Sequence, residues 1–280
     1  MKTTNLVLAV FGAVWAFGVL ADVPMPANAK MKTAGGPLVQ GHRGSRGEYG
    51  DNAAGGFKWC LEQGVRGFET DIRFSKDHKL VIMHDNNLKR TTDGTGVVEE
   101  MTLDEIRKFR MKAHAEPIPT LDDVLDVFER RGDIFIELEM KAYPGKFYTP
   151  EVLEEYCRAL SETAKRKMAP GTYAFTSFDV KTLATMRRVA PDAPIGLILS
   201  GPLGDKSIET AKSLGCCSVA PVAAKTTKEM IDKAHEAGLS VCLWMCQKKS
   251  AWDQCAEKGA DRVTSDYPVK ILRAIEEGRK

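Results

Sequence analysis

Leu38-Val39-Gln40-Gly41-His42, a helical pattern over residues 52–63 that stops at Gly64, and then Phe68-Glu69-Thr70-Asp71-Ile72-Arg73-Phe74 read as strand, helix and strand. The alternation continues along the chain. Short apolar runs predict strands at 80–84, 133–140, 173–177, 195–200, 217–221, 239–245 and 262–265. Helical patterns fall between them at 121–130, 150–167, 180–189, 207–214, 227–237 and 251–258. Gly132, Gly215, Gly238 and Gly259 sit where helices should stop. Strand–helix alternation at this spacing predicts a parallel sheet. About eight repeats in roughly 250 residues is the size of a closed (β/α)8 barrel, the fold expected here as a single domain. An open doubly wound sheet is the alternative, but no glycine-rich dinucleotide fingerprint follows the first strand.

Polar residues collect at the ends of these strands. His42 closes the first, Glu69 and Asp71 lie on the second, and Glu139 ends the one at 133–140. Active sites of barrels are assembled from the C-terminal ends of several strands. Glu69 and Asp71 are two apart, so both point to one face, and Glu137, Glu139 and Lys141 repeat that period. Like charges buried together repel, and a divalent cation removes the conflict. Glu69, Asp71 and Glu139 are therefore candidate ligands of a hard oxygen site for one Mg²⁺ or Ca²⁺. Taken singly, each acid reads better as a solvated edge residue or half of a salt bridge; the whole set favours the metal site. His42 and His84 each follow an apolar run and form a candidate acid–base pair, since imidazole titrates near neutrality. His78, His114 and His235 lie in charged loop or helical contexts and read as surface residues. Arg43 and Lys141 are candidate contacts to an anionic group such as a phosphodiester.

The first residues read differently. Lys2 is followed by 15 uncharged residues from Leu6 to Leu20, and Ala27-Asn28-Ala29 offers small residues for cleavage. Residues 1–29 are thus expected to be a secretory signal, with residues 30–280 as the mature domain, exported to periplasm or medium. The run falls short of the ~20 residues of a membrane span, which leaves an uncleaved anchor as the alternative and no stable membrane insertion after cleavage. Seven cysteines are an odd number for an exported chain, so at least one should be free or pair between molecules. Lys and Arg (40) balance Asp and Glu (38) and are scattered, which excludes the basic footprint of a nucleic-acid binder. Oligomeric state is not legible.

The ordered motifs resemble the glycerophosphodiester phosphodiesterases from about Val39 to Pro268. They are Gly-His-Arg-Gly (41–44), Gly-Phe-Glu-Thr-Asp-Ile (67–72), His-Asp-Asn-Asn-Leu-Lys-Arg-Thr-Thr-Asp-Gly-Thr-Gly (84–96), Ile-Pro-Thr-Leu (118–121), Glu-Met-Lys (139–141), Ser-Phe (177–178) and Thr-Ser-Asp-Tyr-Pro (264–268). The resemblance implies a (β/α)8 barrel with one divalent cation. His42 and His84 would be its acid–base pair, Glu69, Asp71 and Glu139 its metal ligands, and Arg43 and Lys141 its phosphate contacts. The implied reaction is hydrolysis of a small-molecule glycerophosphodiester to glycerol phosphate and an alcohol. A phospholipase D-like action on lysophospholipids or sphingolipids at the same site is one alternative, and a non-catalytic exported phosphodiester-binding protein another.

Two motifs depart from the family's pattern. Gly50-Asp51-Asn52-Ala53 stands where Pro-Glu-Asn-Thr is usual, and Trp244-Met245-Cys246-Gln247 replaces Trp-Thr-Val-Asn. Asp51, one methylene short, is expected to loosen the site or shift its metal preference. Residues between Asp85 and Ile118 form a predicted cap, a small insertion after the second barrel strand. Its polar character favours small, water-soluble head groups.

Overall fold

The computed structural model describes residues 23–128 and 130–278. The expected signal run from Leu6 to Leu20 lies outside the described residues. Eight parallel strands close on themselves: β1 (Leu38–Gly41), β2 (Gly67–Phe74), β3 (Phe135–Met140), β4 (Tyr173–Ser177), β5 (Ile195–Ile198), β6 (Ser218–Ala220), β7 (Ser240–Trp244) and β8 (Arg262–Ser265). β1 pairs with β8 on one side and β2 on the other, which completes the barrel. Helices follow the strands in order: α1 (Ala54–Glu62), α2 (Leu121–Asp126), α3 (Pro150–Lys167), α4 (Val180–Val189), α5 (Asp205–Ser213), α6 (Lys228–Glu236), α7 (Lys249–Glu257) and α8 (Pro268–Glu277). This is the (β/α)8 barrel that the alternation predicts.

Local chemistry sets several boundaries. Thr149, Asp179 and Thr227 accept from the third residue of their helices, and Pro150 begins α3 where no N–H is needed. Three of the four glycines expected to stop helices do so in the left-handed region, Gly215, Gly238 and Gly259. The N–H after each folds back onto the last turn, as in Cys216 N to Ala211 O at 2.8 Å and Leu239 N to Ala234 O at 2.9 Å. That is the Schellman arrangement. Gly132 has no such backbone. The helix expected over 121–130 is shorter, Leu121–Asp126.

The insertion after β2 turns back at once. Leu80–Ile82 runs antiparallel along β2, with Ile72 opposite Ile82 and Phe74 opposite Leu80. The cap beyond it has its own core of Val81, Met83, Leu88, Val98, Ile106, Met111 and Ile118. Its polar residues are not all on display: Thr92 and Glu99 are buried. All seven cysteines are buried and free.

The opposite end of the barrel is closed by residues before β1. Ala29 is fully buried among Leu38, Phe135 and Ala174, at the starts of β1, β3 and β4. Asn28 donates from Nδ2 to Gly132 O (2.6 Å) and Ile134 O (2.9 Å), and from its backbone to Gly171 O (3.2 Å). A boundary after Ala29 would cut through this floor.

Candidate active site

Register decides which acids meet. β2 and β3 are paired with Glu69 opposite Glu137 and Asp71 opposite Glu139, so all four carboxylates face the barrel axis in two layers. The deeper Glu137 is taken by Arg262, fully buried, at 3.1 Å. That leaves Glu69, Asp71 and Glu139, which place ligand atoms within 4.8 Å of one another. All three are buried. Glu69 Oε1 has no hydrogen-bond partner, an orphaned anion of the kind a cation satisfies.

The electrostatics carry the same message. Burial, then the charges of Asp71 and Glu139, push the Glu69 carboxyl well above its ordinary range. Burial also pushes Glu139 up to about 7, against the pull of Lys141. Burial opposes ionisation of Asp71 too, but Lys141, Arg43 and His84 outweigh it and hold that group below the usual carboxylate range. Lys141 Nζ lies 3.2 Å from Asp71 Oδ1 and 2.5 Å from Glu139 Oε1. Two cations against three buried carboxylates leave the centre short of positive charge, and the oxygen-only donor set suits a hard divalent ion.

The Gly-His-Arg-Gly turn places the next groups. A Cβ on Gly41 would lie 1.9 Å from Gly44 O, so only glycine lets the chain fold back there. Arg43 sits at φ +54°, a strained backbone for a non-glycine residue. The strain has a use: the Arg43 N–H donates to Glu69 Oε2 at 3.0 Å, while its guanidinium reaches Asp51 (3.0 Å) and Asp71 (3.3 Å). Asn52, also at positive φ, donates to Asp71 Oδ2 at 2.8 Å and accepts from Thr70 at 3.0 Å.

Each candidate histidine is held by a carboxylate. His42 Nδ1 is 2.6 Å from Asp266 Oδ1, with Nε2 turned to within 3.9 Å of Glu69 Oε2. His84 Nδ1 is 2.6 Å from Asp85 Oδ1. A carboxylate at Nδ1 keeps the proton there and leaves Nε2 for the cleft. Gln247 grips Asp266 twice, donating from Nε2 to Oδ2 (2.8 Å) and accepting from its backbone N–H (3.0 Å). The altered motif at 244–247 therefore supports His42 through Asp266.

The cleft combines polar lining from His42, Arg43, Glu69, His84, Glu137, Glu139 and Lys141 with apolar lining from Phe178, Ile198, Ala220, Trp244 and Met245, and has a volume of about 250 Å³. Phe178 and Trp244 meet edge to face at 6.0 Å, and Trp244 Nε1 donates to Ala220 O at 2.9 Å, which fixes the apolar wall.

All seven candidates thus come together. His78, His114 and His235 lie elsewhere: His78 pairs with Glu155, His114 stacks on Tyr49 and His235 pairs with Asp261. Sequence reasoning gave no role to Asp85, Asn52 or Gln247, and noted Asp266 only as a polar residue following a late strand. All four sit inside or beside the quoted motifs, but nothing in spacing says that Asp266 reaches back 224 residues to His42. The substitution at Asp51 does not touch the carboxylate cluster; Asp51 instead accepts from Arg43 and Arg90.

A model of the glycerophosphoryl diester phosphodiesterase family matches residues 42–270. A glycerophosphodiester phosphodiesterase of Caldanaerobacter subterraneus is 27% identical over 247 residues, covering 86% of this chain and 98% of its own. One of Bacillus subtilis is 25% identical, covering 94% and 96%. Among solved structures, an Oleispira antarctica phosphodiesterase in complex with the product sn-glycerol-3-phosphate aligns with a TM-score of 0.77 at 27% identity, over 87% of this chain and 98% of its own. A Thermotoga maritima glycerophosphodiester phosphodiesterase shares the fold, with a TM-score of 0.67 at 23% identity over 85% and 98%. With that match over most of its length, the chain belongs to the glycerophosphoryl diester phosphodiesterase family and is an enzyme of the phosphoric diester hydrolase class.

Proposed function

We propose that the protein hydrolyses glycerophosphodiesters to glycerol 3-phosphate and an alcohol, using His42 and His84 as acid and base over a divalent-cation site made by Glu69, Asp71 and Glu139. The observation that carries this is the pairing of two carboxylate-held histidines with one cluster of buried acids in a single cleft. A bound Mg²⁺ or Ca²⁺ would offset the three carboxylates and polarise a phosphoryl oxygen. Arg43 and Lys141 bind and orient the phosphodiester, Arg43 by its planar fork and Lys141 as a point charge. One imidazole accepts the proton of the attacking hydroxyl at its free Nε2: water gives glycerol 3-phosphate directly, whereas the substrate's own glycerol hydroxyl gives a cyclic phosphate that a water then opens in a second step. The other donates a proton to the departing alkoxide. Asp266 and Asp85 keep each ring in the tautomer that these transfers need and favour the imidazolium formed in passing.

The cleft volume, about 250 Å³, favours a glycerophosphate with a small head group over an acyl chain. Lysophospholipids remain the second substrate class because Phe178, Trp244 and Ile198 offer an apolar wall. A non-catalytic binding protein would have no use for two oriented histidines. We also place the enzyme outside the cytoplasm, on the strength of the apolar run from Leu6 to Leu20. Among the described residues no helix is long and apolar enough to cross a membrane. Fractionation of the native host, with the protein recovered from cytosol alone, would refute export.

The deciding experiment measures glycerol 3-phosphate release from glycerophosphocholine and glycerophosphoethanolamine, with Mg²⁺, with Ca²⁺ and with chelator. Metal-dependent release that both His42→Ala and His84→Ala abolish is the expected result. Release that survives either substitution, or survives chelation, overturns the mechanism.

A further inference from the structure

Arg90 reaches out of the cap to two acids, Asp85 beside His84 and Asp51 beside Arg43. Its Nε is 2.5 Å from Asp85 Oδ2 and its Nη1 is 2.7 Å from Asp51 Oδ2. The other oxygen of Asp85 holds His84 Nδ1 at 2.6 Å, and Asp51 Oδ2 also takes Arg43 Nη1 at 3.0 Å. One guanidinium therefore joins the carboxylate that holds a histidine to the carboxylate that holds the arginine. Asp51 is 10% exposed and Arg90 41%, so the pair joins the sheltered edge of the site to its solvent-facing rim. The chain positions they join are distant: Asp51 belongs to a short ribbon at the mouth, Gly50–Asp51 paired with Gly44–Ser45, and Arg90 to the cap, 39 residues on. The carbonyl of Arg90 is itself tied down by Lys112 Nζ at 3.2 Å. A planar fork can hold two carboxylates in a fixed relation, whereas an ammonium cannot.

We propose that Arg90 and Asp51 are positioning residues that couple the cap to the placement of both His84 and Arg43, so that the general acid–base group and the phosphate contact move into register together. The inference rests on the hydrolysis proposed above. Asp51, the residue that departs from the family's usual glutamate, is then the meeting point of the network. Neither residue touches the reacting atoms. Their effect runs through His84 and Arg43, where a displacement of an ångström can cost two orders of magnitude in rate.

The test is steady-state turnover of glycerophosphodiester by Arg90→Ala, Arg90→Lys, Asp51→Asn and the double variant Arg90→Ala/Asp51→Asn, each checked by thermal melting. Arg90→Ala is expected to lose about 10- to 100-fold in kcat/KM. Millimolar guanidinium should recover part of that loss in Arg90→Ala and none in Asp51→Asn. Arg90→Lys, which keeps charge and stem and guards against a folding defect, should stay impaired. The double variant should be no worse than the poorer single by more than about threefold, as for residues acting through one network. Turnover of Arg90→Ala within twofold of wild type, full activity of Arg90→Lys, or losses that multiply in the double variant would each overturn the proposal. Inactive wild-type protein would instead count against the hydrolysis. In that event ¹⁵N-histidine NMR still decides the relay without substrate: the His84 Nδ1 proton should exchange faster in Arg90→Ala, and unchanged exchange refutes it.

Discussion

The two ends of this barrel handle buried charge in opposite ways. Beneath the carboxylate cluster, Glu137 pairs with Arg262 at 3.1 Å, Arg262 also donates to Ser240 at 2.7 Å, and its guanidinium lies over the Phe135 ring at 5.3 Å. Asn28 spends its side-chain amide on two backbone carbonyls. At the mouth, the same β2–β3 ladder carries Glu69, Asp71 and Glu139 with only Arg43 and Lys141 to answer them. Among the described residues Glu69 Oε1 has no hydrogen-bond partner, and Asp71 Oδ1 and Glu139 Oε1 share the single ammonium of Lys141. One end of the barrel is arranged for stability. The other holds unresolved charge, as sites poised for a ligand do.

The largest test of this contrast removes a histidine. His42→Ala or His84→Ala should cut turnover by about 10²- to 10⁴-fold while leaving the melting temperature within a few degrees, since neither ring supports the floor. A variant that loses stability along with activity would show that the mouth also carries the fold.

Next come two isosteric changes on one face of the sheet. Glu137→Gln strands the buried Arg262 and should cost about 3–5 kcal/mol in denaturant unfolding. Glu69→Gln removes a charge that burial and its neighbours already disfavour, so metal-free stability should hold or rise while activity is lost. Equal destabilisation by both would erase the distinction between the neutralised carboxylate and the one left without a partner.

A truncation addresses the floor directly. Starting the chain at Lys30 removes the fully buried Ala29 and the three hydrogen bonds of Asn28, and should cost about 2–4 kcal/mol. A chain starting at Val23 keeps both and should match the full protein. If N-terminal sequencing of exported enzyme finds Lys30 first and the protein is fully stable, the floor needs no such closure.

The smallest effect is a pH slope. Glu139 is pushed up to about 7 in the fold, so between about 4.5 and 7 the native state binds the proton that the unfolded chain has released. Metal-free stability from this group is therefore present at low pH and lost as pH rises through that window. His84, whose pKa burial lowers, acts in the opposite sense below 6.5. The difference between wild type and Glu139→Gln isolates the carboxyl. It should fall by a few degrees of melting temperature between pH 5 and 7.5 in chelator and recover with Mg²⁺ or Ca²⁺. No change with pH would mean that Lys141 alone satisfies Glu139.

Much of this was legible in residue order. Period-two spacing put Glu69 with Asp71 and Glu137 with Glu139 on common faces, and glycines at 215, 238 and 259 marked helix ends because the left-handed turn requires them. The cap's polar residues were legible as polar, but not as a shell over seven buried apolar side chains. Period two gives the face of a strand and says nothing of depth. Glu137 and Glu139 look alike in sequence, yet one pairs with Arg262, 125 residues away, and the other stays at the mouth.

Sequence by itself determined the barrel, the seven candidate residues and the family, because local periodicity and ordered motifs are properties of neighbouring residues. Tertiary structure alone decided which carboxylates are neutralised, which acids hold His42 and His84, and that Arg90 meets Asp51. Those outcomes depend on burial and on charges brought together by barrel closure, and no spacing along the chain encodes the distance between them.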